Sequence, residues 1–236
     1  MMGWRGVLLA CAAVAAIVGG SAIMAVPRDG GVVVHTPARH GPPPALPKLV
    51  WWLATYGLLM GISFAALLTY LPLYLHEQLG FTVAAAGAVA SMLGLVGIAA
   101  RILWARRGER WDTVALGLAV IAAGSAVSLT LLLIAQSTVT ALAWVAAIGF
   151  GATVSAWNSL GMLAIVRDVP LAVAGRSSGV VLAAYYVGIV ASPAAFGWSV
   201  DRLGTYTPGW VAVLVVFMAA TGVSLAWRVK APSAVR

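Results

Sequence analysis

Charge is missing from most of this chain. Only 8% of its 236 residues are Asp, Glu, Lys or Arg, against roughly a quarter in ordinary soluble domains. None of the four occurs within 6–27, 49–76, 78–100, 113–166, 177–200 or 203–227. Acidic residues are the scarcer sign, with 6 Asp and Glu against 14 Lys and Arg. No paired carboxylates, Walker loop or nucleophile elbow appears, which argues against an enzyme. The single cysteine, Cys11, excludes an intramolecular disulfide. Of the 3 histidines, His35 and His40 share a polar stretch and His76 stands apart, so a metal site has no supporting ligands and no cofactor is expected. The only lysines, Lys48 and Lys230, border apolar runs at the water interface. A retinal Schiff base, which needs a buried lysine, is therefore left without its residue.

What is present is apolar surface. Hydrophobic residues make up 62% of the chain, more than a soluble core absorbs, so lipid must be the solvent for most of it. Only helices and closed barrels satisfy their backbone groups in lipid. The apolar runs lack strand-like alternation and exceed the roughly 10 residues of a barrel strand, so they read as helices. A crossing takes about 20 apolar residues. Five of the charge-free gaps fit one crossing each, and 113–166 fits two, split at Gln136-Ser137-Thr138. The fold class is thus all-α integral membrane with seven transmembrane helices, expected at 5–26, 49–75, 82–104, 113–136, 139–165, 174–199 and 208–229.

The net charge of +8 orients the chain rather than binding nucleic acid, because Lys and Arg collect in cytoplasmic loops. Alternate connections, with the adjoining helix ends, hold Arg28, Arg39, Lys48, Arg101, Arg106, Arg107, Arg110, Arg167, Arg176, Arg228, Lys230 and Arg236; the other side holds only Arg5 and Arg202. This predicts a multi-pass protein of the plasma (inner) membrane, N-terminus outside and C-terminus cytoplasmic. A rival reading makes the first span a cleavable signal peptide ending near Ser21-Ala22-Ile23-Met24-Ala25. It would turn Arg106, Arg107 and Arg110 outward, against the charge rule.

The one long connection, 27–48, is kept irregular by Pro37, Pro42, Pro43, Pro44 and Pro47 with Gly30, Gly31 and Gly41. It separates a lone helix from a six-helix block. Four stretches in that block carry a family likeness: Thr69-Tyr70-Leu71-Pro72-Leu73-Tyr74-Leu75, Gly97 through Arg110, Trp157-Asn158-Ser159, and Gly197-Trp198-Ser199-Val200-Asp201-Arg202-Leu203-Gly204. Together with the topology they resemble the second half of a major facilitator superfamily transporter. The resemblance implies that 1–26 is the last helix of an N-terminal bundle that is missing, 27–48 a cytoplasmic linker, and 49–236 the C-terminal six-helix bundle. It also implies transport of a small solute by alternating access, with a separate N-terminal half as a partner beside the lipid bilayer. The alternative is a non-transporting seven-helix protein, receptor-like or a scaffold.

The family's signature loop, Gly-x-x-x-Asp/Arg followed by a basic cluster around Gly, would fall on Gly97, Arg101, Arg106, Arg107, Gly108 and Arg110 as a cytoplasmic gate. Arg101 takes the place of the usual acid. The closer match in letters, 197–204, lies on the opposite side by charge and is not assigned that role. In the resembled family the first and fourth helices of each half line the cavity, flanked by the second and fifth. This makes Tyr56, Trp157, Asn158, Tyr185 and Tyr186 the cavity candidates. Their aromatic and neutral polar character suits small organic anions or amphipathic drugs. Ionisable residues inside a membrane are functional candidates by default, and none is expected near a helix midpoint, Arg101 being placed one turn from the cytoplasmic end. Gly188, Pro193 and Gly197 resemble the kinked helix that flexes during alternating access. Pairs of small residues (Gly57 and Gly61, Gly94 and Gly97, Gly149 and Gly151, Gly175 and Gly179) are spaced for close helix contact.

Overall fold

The computed structural model describes residues 4–25, 44–110 and 114–230. Among these the chain is helical throughout and divides into two units at Pro43 and Pro44. The first unit contributes α1 (Trp4–Ala25), 22 residues with Arg5 as its only charge, or about 33 Å at the rise of an α-helix. The linker residues 26–43 lie outside the described residues, as do 111–113 and both chain ends.

The second unit holds α2 (Lys48–Glu77), α3 (Val83–Gly108), α4 (Ala115–Ala135), α5 (Leu142–Ala152), α6 (Trp157–Asp168), α7 (Leu171–Leu203) and α8 (Thr207–Lys230). α5 and α6 form one interrupted span, so six crossings result, each long and apolar enough for a bilayer. The six spans expected in this unit are recovered, and several helices run further than their apolar cores. α3 continues through Arg106 and Arg107, and α6 through the Arg167–Asp168 ion pair at 2.8 Å. Charged residues do not break a helix; they only cannot stay in hydrocarbon, so the helix carries them into water. The band expected as a connection at 166–173 shrinks accordingly to Val169-Pro170. Proline there cannot continue α6 but is well placed just before α7. α7 ends where Gly204 takes a left-handed cap conformation at φ 65°.

Numbered from α2, the six crossings make their most extensive contacts between the first and fifth (α2 with α7), the second and fourth (α3 with α5), and the third and sixth (α4 with α8). This pairing is unchanged when the first three crossings are exchanged with the last three. Because three is odd, the two halves begin at opposite faces of the membrane. The unit is therefore built as a 3+3 inverted repeat.

Close approach is set by glycine. At Gly188 in α7, an added Cβ would strike the Leu58 carbonyl and sit 2.8 Å from the Ile62 backbone nitrogen of α2. At Gly151 in α5 it would meet the Leu93 carbonyl at 2.6 Å and the Val96 Cβ at 2.8 Å in α3. Lipid offers no hydrophobic drive for helix association, so packing at such notches and interhelical hydrogen bonds must supply it. Ser192 Oγ donates to the Ile62 carbonyl at 2.6 Å, and Ser224 Oγ to that of Ala115 at 2.6 Å. Of the glycines paired by spacing, Gly57, Gly61, Gly97, Gly149 and Gly151 lie in tight contacts, while Gly94, Gly175 and Gly179 face open space.

The connections group at two ends. At one, Tyr206 Oη donates to Glu77 Oε2 at 2.8 Å and Tyr74 Oη to Gln136 Oε1 at 3.4 Å, joining the α2 and α4 termini to the α7–α8 turn. Burial, and then the Glu77 carboxylate that accepts its hydrogen bond, push the Tyr206 phenol up to about 12. The opposite end gathers Lys48, Arg106, Arg107, Arg110, Arg167, Arg176, Arg228 and Lys230.

Candidate functional site

The interruption between α5 and α6 lies at the middle of its span. Gly149-Phe150-Gly151-Ala152-Thr153-Val154-Ser155 is rich in glycine, β-branched and hydroxyl residues, which favour helix weakly, and Thr153 leaves helical geometry at φ −121°, ψ −83°. A 3₁₀ turn, Val154–Ala156, follows before α6 restarts at Trp157. Breaking a helix in lipid frees backbone carbonyls that water cannot satisfy, so side chains must. Thr153 Oγ1 donates to the Gly149 carbonyl at 2.6 Å and Ser155 Oγ to that of Gly151 at 2.7 Å. Ser125 Oγ of α4 reaches Thr153 Oγ1 at 2.9 Å.

Two further donors come from one face of α3, three residues apart. Trp104 Nε1 donates to the Ala152 carbonyl at 2.7 Å, and Arg101 Nε to the Ser155 carbonyl at 3.0 Å. This corrects the expected depth of Arg101. Because α3 runs to Gly108, Arg101 is seven residues, about 10 Å at 1.5 Å per residue, from the helix end. Its guanidinium bonds a carbonyl thirteen residues from either end of the Leu142–Asp168 span. The chain thus carries a cation two turns inside the end of α3, bonded to the break in the neighbouring span, where one turn was expected.

Around this break the cavity candidates come together. Ring centroids run from Tyr56 to Trp157 at 6.0 Å, Trp157 to Tyr185 at 5.1 Å, and Tyr185 to Tyr186 at 5.6 Å. The Tyr185 hydroxyl is close enough to Arg101 and Trp157 to interact with both electrostatically. Their availability differs. Tyr56 is 1% exposed and its hydroxyl donates to the Leu118 carbonyl at 2.8 Å, which leaves it a packing position. Trp157 Nε1 is buried beside the Tyr185 hydroxyl, and Asn158 Oδ1 is buried without a hydrogen-bond partner among the described residues. Tyr185 is nearly buried, and Tyr186 is 58% exposed on the bundle surface.

The gate-loop candidates separate into packing and surface residues. Gly97 lies against the Ser155 side chain, and Gly108 against Leu160 and Leu163. Arg106, Arg107 and Arg110 line a cavity of about 420 Å³ with Ala100, Leu103, Trp104 and Ala152 at the basic end of the unit. Among the flexing candidates, Gly188 packs against the α2 backbone, Gly197 faces the Tyr70 hydroxyl, and the Pro193 carbonyl accepts from Tyr70 Oη at 2.8 Å. α7 stays one continuous helix of 33 residues.

Sequence reasoning passed over Ser155 and Trp104 and misplaced Arg101. The signals were present: Gly, Thr and Ser crowd 149–155, and Arg101 and Trp104 stand at helical i, i+3 spacing, on one face.

Six apolar crossings in a 3+3 inverted repeat, one of them broken at mid-depth, define a multi-pass membrane bundle of the secondary-transporter kind. The Major Facilitator Superfamily profile matches residues 1–193. The chain belongs to that superfamily, whose members are membrane transporters. Among curated proteins none matches it closely enough to count as a relative.

Proposed function

We propose that this chain supplies one bundle of a transporter that moves a small solute by alternating access against a second bundle. In this reading 1–26 is the last helix of the first bundle, 27–48 the cytoplasmic linker, and 49–236 the second bundle. The observation that carries it is the exposure of Arg101 in α3 and Tyr186 in α7, both at least two turns inside the ends of their helices. A guanidinium facing hydrocarbon costs several kcal/mol, on the order of 3 even by insertion scales. That face is better suited to a polar cavity closed by a partner bundle than to lipid. The asymmetry of basic residues places the Arg106–Arg110 end in the cytoplasm and the Tyr206–Glu77 end outside.

Co-expression with the five helices that would precede α1 in an N-terminal half, followed by uptake of labelled solutes into vesicles, tests the function. The expected outcome is uptake by the pair and none by residues 1–236 alone; uptake by the chain alone refutes the two-bundle reading. Orientation is tested in a Cys11→Ser background with a membrane-impermeant maleimide on intact cells. Ser137→Cys should label and Arg107→Cys should not, and the reverse pattern would overturn the assignment.

A further inference from the structure

We propose that Arg101, with the start of α6 and the donors around it, forms a recognition site for the oxyanion of a small organic monoanion, a carboxylate in the first instance. This deepens the transporter reading and rests on it.

The argument begins with charge balance. Asp and Glu are absent from 113–166, from 177–200 and from the part of α3 before Glu109. The ion pair formed among the described residues is Arg167 with Asp168, and Arg101 has none. Arg101 spends its Nε on the Ser155 carbonyl, and its two terminal nitrogens make no hydrogen bond among the described residues. Fixing Nε while leaving both terminal nitrogens open presents the forked end of the guanidinium, the geometry that grips an oxyanion through two parallel bonds.

The surroundings favour the same ligand sign. α6 begins at Trp157, two residues after the carbonyl that holds Arg101, and its first turn has no side-chain cap. A helix N-terminus carries a partial positive charge of about half a unit. The Trp157 indole N–H is buried beside the Tyr185 hydroxyl, which itself lies within electrostatic reach of Arg101. The site thus offers one full charge, a partial charge and neutral donors, with no carboxylate to compete. A monoanion is neutralised by the single full charge of Arg101, whereas a dianion would leave a second full charge opposed only by the partial charge of the helix end. The rings of Trp157, Tyr185 and Tyr186 supply an apolar wall for the organic part. An amphipathic cation, which would have to approach an unneutralised arginine, is disfavoured.

The test uses the full chain in phosphatidylcholine nanodiscs, with benzoate, phenyl phosphate and neutral benzamide as probes and tryptophan fluorescence as readout. Benzoate is expected to bind at least tenfold more tightly than benzamide, the scale of a charge-assisted hydrogen bond, and more tightly than phenyl phosphate at a pH where the latter is a dianion. Arg101→Gln should erase the preference for benzoate and Arg101→Lys should retain part of it. Because Arg101 also ties down the broken helix, Tyr185→Phe serves as a second variant that keeps the ring. It should weaken benzoate several-fold and leave benzamide unchanged. Equal binding of benzoate and benzamide, or an undiminished preference in Arg101→Gln, overturns the proposal. Tighter binding of phenyl phosphate overturns the monoanion assignment. Uptake of the probes by the paired halves separates the two readings. Uptake without anion preference refutes the anion site and leaves transport standing; anion-selective binding without uptake refutes transport and leaves the site.

Discussion

Replacing Gly188 by alanine tests whether α2 and α7 are held by backbone contact. The new Cβ would press on the Leu58 carbonyl, lie 2.8 Å from the Ile62 nitrogen and 3.2 Å from the Gly61 carbonyl carbon. All three are backbone atoms, so no side chain can rotate away and the helices must separate. Overpacking of this kind costs about 1–3 kcal/mol. Alanine in place of glycine returns up to about 1 kcal/mol of helix propensity, so a net loss of roughly 1–2 kcal/mol is expected. Gly175→Ala in the same helix is the control, because nothing lies within 4 Å of its added Cβ. It should gain roughly 0.5–1 kcal/mol from propensity alone. Unfolding the purified chain from detergent micelles with increasing SDS, followed by tryptophan fluorescence, places the two variants on opposite sides of the wild type. If Gly188→Ala unfolds no earlier than wild type, or if both variants shift together, α7 does not rest on α2 as described.

Three further outcomes follow from the same contacts. Trp104→Phe keeps an aromatic side chain but removes the indole N–H that serves the Ala152 carbonyl, together with part of the ring, and should lower SDS resistance by at least about 1 kcal/mol, the worth of one hydrogen bond; no change would mean that the break is satisfied by other donors. Ser192→Ala and Ser224→Ala, though both hydroxyls bridge helices, should each cost only about 0.6 kcal/mol, the average for such bonds in membrane proteins; losses several times larger would contradict that scale. The Tyr206 phenol is raised from 10.0 to about 12 in the folded chain, so the folded state favours its neutral form. Its stabilisation is complete below pH 10 and lost as pH climbs through 10 to 12. Tyr206→Phe should flatten that part of the stability–pH profile, and an unchanged slope would remove Tyr206 as its source.

Most of the architecture was legible in the spacing of charges. Each charge-free gap became a helix, and Gln136-Ser137-Thr138 marked a true turn between α4 and α5. Boundaries were less legible at 101–110 and 166–173, because basic residues form helix as readily as they end a membrane span. The candidate site was half legible. Trp157, Tyr185 and Tyr186 cluster as their family positions imply, but Tyr56 spends its hydroxyl on Leu118 inside the core. The bond from Arg101 to the Ser155 carbonyl was missed because the broken span was read as one continuous helix.

Sequence alone determined where the six long apolar helices of the second unit lie and which of its connections share an end, because hydrocarbon penalises every charge and every open backbone group wherever it stands. Tertiary structure decided which glycines touch, which carbonyls are left open at Thr153, and where the Arg101 charge comes to rest. The bond that fixes that charge joins residues 54 positions apart, and no local periodicity can encode a contact that exists only once α3 has packed against the broken helix.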